Sequence, residues 1–171
     1  SGGLVFGVSF VDDLKITTTA GAAPLVAAFR VVERFFFFIN AKIQHDKTVV
    51  ASTDAQEGAV IAAQLGLKAV DHTLFTGVVL LYRDTEAGRA AVLAKQTERV
   101  DAAVREVWRI LNTPASARAR LIALEVKVLA KAYHGAIIHP LPDGLIKKLE
   151  GALLKVAWGK APLLGRERSL T

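Results

Sequence analysis

With 171 residues, 52% of them apolar and 22% charged, the chain can bury a substantial core and is too apolar to be disordered. It has no cysteine, which excludes disulfides, thiolate metal sites and thiol catalysis. The net charge of +6 is uneven: residues 1–113 hold twelve basic and twelve acidic residues, and residues 114–171 hold ten and four. A neutral body with a basic C-terminal third predicts that one end faces an anionic partner. The mean hydropathy of +0.36 is high for a monomer in water, so either much apolar surface is expected against other subunits or lipid, or the core is unusually rich in helices apolar all round.

The N-terminus reads as extended. Leu4, Phe6, Val8 and Phe10 alternate with smaller residues, and Leu14, Ile16 and Thr18 repeat the alternation after Asp12-Asp13. This predicts a short extended or hairpin arm over residues 1–20. In a strand the two aspartates point opposite ways and form no carboxylate dyad. No basic segment precedes the apolar run, which argues against an intact signal peptide.

A first helix is expected from Pro24 to about Gln44, charged before Asn40 only at Arg30, Glu33 and Arg34. Its nearly unbroken apolar surface, including Phe35, Phe36, Phe37 and Phe38, makes those four the interface candidates. A second helix is expected from a Thr53 cap to about Tyr82. Ala55, Ala59, Ala62, Gly66, Ala69, Thr73 and Thr76 fall at alternating steps of four and three, a seam of small residues. A third helix from Asp84 or Thr85 to about Leu111 carries a bulkier seam of Ala90, Leu93, Thr97, Val100, Val104, Val107 and Leu111. The two form either a hairpin or one long helix.

Thr113-Pro114 predicts a restart, with a fourth helix to about His134 and Gly135 beyond its end. Pro140 and Pro142 hold the next segment open, and Asp143-Gly144 begins a fifth helix to about Trp158. The expected architecture is all-α: a bundle of about five helices with an extended N-terminal arm. Residues 21–171 make one helical domain whose basic third is 114–171.

Motifs for chemistry are sparse. The chain lacks a phosphate-binding glycine loop, a nucleophile elbow and a His-x-x-x-His pair. His72, placed mid-helix beside Asp71, and His134 are lone histidines. No cofactor or metal is predicted, although a haem or pigment at such a residue stays open. Basic residues are more suggestive. Arg120, Lys127 and Lys131 on the fourth helix, with Lys147, Lys148 and Lys155 on the fifth, are the anion-contact candidates. Few aromatics accompany them for base stacking. On the third helix Asp101 and Arg105 have the spacing of an ion pair. No transmembrane span is predicted, because charges interrupt every long apolar window.

The leading expectation is a non-enzymatic structural subunit of a larger assembly, packing through apolar helices on other subunits or on itself. One alternative is a peripheral module that binds anionic lipid or nucleic acid through the basic third. The other is a helical cofactor binder or enzyme.

Overall fold

The structure is a computed structural model that describes residues 5–10 and 13–158. It is a mixed α/β chain with five helices and three two-stranded sheets among the described residues, which corrects the all-α bundle expected from the sequence. It divides into two compact units, Ser1–Arg89 and Ala90–Thr171.

Unit 1 opens with the expected hairpin. Strands β1 (Val5–Phe10) and β2 (Asp13–Thr18) run antiparallel, with Phe10 opposite Asp13 and Val5 opposite Thr18. Asp12 lies outside the described residues, as does the side chain of Asp13. Helix α1 (Ala22–Phe38) stops six residues before the expected Gln44. There Asn40 adopts a left-handed conformation and Ala41 N–H reaches back to Phe36 O at 2.8 Å, a turn that closes helix ends.

The long second helix is the main correction. Helix α2 (Ala55–Leu65) starts at Asp54, one residue after the expected Thr53, and the Asp54 carboxylate accepts from Glu57 N–H at 2.9 Å. It ends at Gly66, whose left-handed φ of 65° turns the chain out of the helix. Residues beyond it pair as strands. β3 (Val49–Ala51) and β4 (Lys68–Val70) are parallel neighbours on either side of α2, and β5 (His72–Phe75) and β6 (Val78–Leu81) form a hairpin. Thr76 and Gly77 both have positive φ at its tip, the geometry that suits the twist of a two-residue hairpin. The expected seam of small residues therefore does not exist: Ala69 lies on β4, Thr73 on β5 and Thr76 in the turn. On α2 the buried face is Gly58, Ile61, Ala62 and Leu65, while Ala55 and Ala59 are exposed. Ile61, Ala62 and Leu65 meet Phe29 of α1 and Val50 of β3 in the core of this unit.

Helix α3 (Glu86–Asn112) follows its sequence expectation closely. In unit 2 its core face is Val100, Ala103, Val107 and Ile110, so only Val100 and Val107 of the expected seam are fully buried. The fourth helix begins at Ala117, capped by Ser116 rather than Thr113. Helix α4 is continuous from Ala117–Ala123 through a π-helical stretch, Leu124–Leu129, to Ala130–Tyr133. Helix α5 (Asp143–Trp158) starts where the sequence predicts, and Trp158 is the last of the described residues. Leu124, Val128 and Ala132 from α4 and Leu149 and Ala152 from α5 complete this core.

Candidate functional site

Three features carry chemistry: an apolar helix with a charged cleft in unit 1, a polar knot at the start of α3, and a basic surface on unit 2.

Helix α1 has two distinct outer faces. Val31, Phe35 and Phe38 recur at steps of four and three and form one exposed ridge. Phe38 is 86% exposed, as is Phe37, whereas Phe36 is half-buried. The second face carries Arg30, Glu33, Arg34 and Phe37, at the same helical steps, and lines an open cleft of about 430 Å³. Its far side is Ala41, Ile43 and His45, from the segment that turns back after α1. Arg30 is tied in place: Nη1 donates to Glu33 Oε2 at 2.6 Å, and Nη2 donates to the Gln64 carbonyl at 3.2 Å. His45 Nε2 lies 3.6 Å from Glu33 Oε1, and its ring meets Phe29 edge-on. Both Glu33 oxygens thus face a basic group. Arg34 is exposed and has no acceptor among the described residues.

The polar knot joins β5 to α3. Asp71 precedes His72, and Asp71 Oδ1 lies 2.5 Å from His72 Nδ1. The Thr85 hydroxyl donates to Asp71 Oδ2 and accepts from Gly88 N–H at 3.0 Å, so Thr85 caps α3 while holding Asp71. The Thr85 hydrogen bond, followed by that from His72, keeps the Asp71 carboxyl below the usual carboxylate range. A carboxylate here also faces the positive end of the α3 dipole. His72 is therefore a strand residue tied to its neighbour, not the mid-helix residue expected. Among the described residues no three His, Asp or Glu side chains converge as metal ligands would. No helix among them is long and apolar enough to cross a membrane.

On unit 2 the six anion-contact candidates have unequal surroundings. Arg120 is half-buried and turns back to donate to the Thr113 carbonyl at 3.2 Å. Lys148 pairs with Asp101 at 2.6 Å. That pairing replaces the expected Asp101–Arg105 contact. Lys155 lies over the Trp108 ring, 5.2 Å from its centre. Lys127, Lys131 and Lys147 are exposed, with no acceptor among the described residues. Arg105 and Arg118, passed over as contact candidates, are exposed with no hydrogen-bond acceptor among the described residues, and Arg105 also acts on Glu98 through its charge. The π-helical stretch also rotates Lys131 relative to Arg120, so the three α4 cations do not make one straight stripe. Their pairing could not be read from spacing, since the partners of Lys148 and Lys155 sit on α3, more than forty residues away.

Comparison with protein-family models, curated proteins and solved structures finds no match to this chain.

Proposed function

We propose that the protein binds nucleic acid through the phosphate backbone, using unit 2. The observation that carries this reading is the charge partition. Unit 1 holds eight basic and nine acidic residues, a balance of −1, while unit 2 holds fourteen and seven, a balance of +7. Six of those seven positive charges come from residues 114–171, past α3, and residues 90–113 add one. Arg105, Arg118, Lys127, Lys131 and Lys147 come from three helices and have no internal acceptor among the described residues, so each is available to a phosphate. Contacts of this kind are largely blind to base sequence.

The test is fluorescence anisotropy with a labelled oligonucleotide across a salt series. Five phosphate contacts predict a slope of log K against log salt of about −4.5 on duplex or about −3.5 on a single strand. The triple variant Lys127→Gln/Lys131→Gln/Lys147→Gln should flatten that slope by about 2 to 3 units. No binding at low salt, or a slope unmoved in the variant, overturns the reading. Flotation with anionic liposomes but no oligonucleotide binding would assign the surface to lipid headgroups instead.

A second reading is favoured by the α1 ridge. Val31, Phe35 and Phe38 expose enough apolar surface on one helix to suit docking on further protein. In this reading the protein is a subunit that assembles with other chains or with itself. Light scattering on the native chain and on Phe38→Ser tests self-assembly. A concentration-independent monomer mass for the native chain would remove self-assembly.

A further inference from the structure

We propose that the cleft between α1 and residues 41–45 is a binding site for a small monoanionic carboxylate carried on an aromatic body. The inference is independent of the nucleic-acid reading, because every residue involved lies in unit 1.

The chemistry of the cleft selects the anion. Arg30 is occupied by Glu33 and by the Gln64 carbonyl. Glu33 is flanked on one oxygen by Arg30 and on the other by His45, so its charge is largely answered within the protein. Arg34 is the remaining charge, a guanidinium without an acceptor among the described residues. Guanidinium is planar and presents paired N–H groups, which match the two oxygens of a carboxylate. With one uncompensated cation and Glu33 close by, a single negative charge fits, and a dianionic phosphate fits less well.

The walls select the body of the ligand. Phe36 and Phe37 line one side and Ile43 the other. Phe37 is left 86% exposed, so an aromatic ring laid against it removes apolar surface from water. A cleft of about 430 Å³ lies within the range of small-ligand sites, about 300 to 1,000 Å³. The floor is also prepared in advance. The Arg30 bond to Gln64 O ties α1 to the end of α2, and the edge-on contact with buried Phe29 fixes the His45 ring. The floor is thus ordered in advance, and Arg34 and Phe37 order on binding.

Isothermal titration calorimetry of the full chain with 4-phenylbutanoate tests the site. The controls are 4-phenylbutan-1-ol, which keeps the body and lacks the charge, and acetate, which keeps the charge and lacks the body. Saturable one-site binding is expected, with both controls weaker by about tenfold or more. Arg34→Gln should weaken 4-phenylbutanoate by about tenfold, and Phe37→Ser by about threefold. Both positions are exposed, and circular dichroism checks that each variant keeps its fold. Oligonucleotide affinity should be unchanged in both variants, so the two readings fail separately. Absence of saturable heat up to about 10 mM overturns the proposal. Native-like affinity in Arg34→Gln, or equal binding of the alcohol, overturns it as well.

Discussion

Thr85 does two jobs with one hydroxyl. It caps the first turn of α3 through Gly88 N–H and donates to the Asp71 carboxylate, linking the β4–β5 connection to the helix start. Thr85→Ala removes both bonds, and loss of the cap alone should lower stability by about 0.5–2 kcal/mol in urea denaturation. The acid limb reports on Asp71. Because its folded carboxyl is held below the ordinary range, its contribution is complete above the ordinary carboxylate value. It is lost as the pH falls from about 4 toward the folded value. Asp71→Asn should therefore be less stable at neutral pH, and its stability should depend less on pH in the acid range. Parallel acid limbs for the two proteins would show that Asp71 does not contribute in this way. The helix start at Thr85 was legible in the sequence, but its bond to Asp71 was not, because Asp71 read as a position on a helix ending near Tyr82 or running on into the next. The pairing exists only because β5 and β6 fold back and bring residue 85 to residue 71.

At the scale of elements, legibility tracked whether one local signal decided the structure. Helix α5 has an acidic residue and glycine at its start and an amphipathic pattern after it, and it emerged with its predicted start. Helix α3 was equally legible, since its buried face repeats for several turns. The hairpin of β1 and β2 followed from strict alternation. Residues 66–82 failed because a helical repeat of small residues ran on by coincidence past Gly66. The competing signals were present: Val70, Thr73, Phe75, Val78, Val79 and Tyr82 favour strands, and Thr76-Gly77 is a turn pair. Gly66 settles the matter physically. An added Cβ there meets nothing within 4 Å, so the demand for glycine comes from its φ of 65° and not from crowding. Gly66→Ala should cost about 1 kcal/mol by thermal or urea unfolding, and Gly66→Asn less, because asparagine tolerates the left-handed region. If Gly66 were instead interior to a continuous helix, alanine would stabilise it by a similar amount. The sign of one measurement separates the two folds.

At the scale of the whole chain, the basic excess falls within one of the two packing units, most of it beyond α3. The basic excess was legible from composition, and its tie to a compact unit was not, because the division falls inside the continuous α3 helix. The two cores share no residue: Ile61 belongs to the cluster of unit 1 and Leu149 to that of unit 2. Removing buried side chains from each core should therefore act locally. Leu149 is almost wholly buried, and Leu149→Ala should destabilise by about 2–5 kcal/mol. Ile61→Ala should cost a similar amount in the other core. Native-state hydrogen exchange on both variants distinguishes independent units from one cooperative body. Protection should fall within residues 90–158 for Leu149→Ala and within residues 13–89 for Ile61→Ala. The same pair tests where the anionic partner binds. Oligonucleotide affinity should survive Ile61→Ala and fall in Leu149→Ala at temperatures where unit 2 begins to open, since the helices that carry the five exposed cations pack on that core. Equal loss of protection across both units in either variant would mean that α3 transmits unfolding along its length. Unit 2 would then be no independent module.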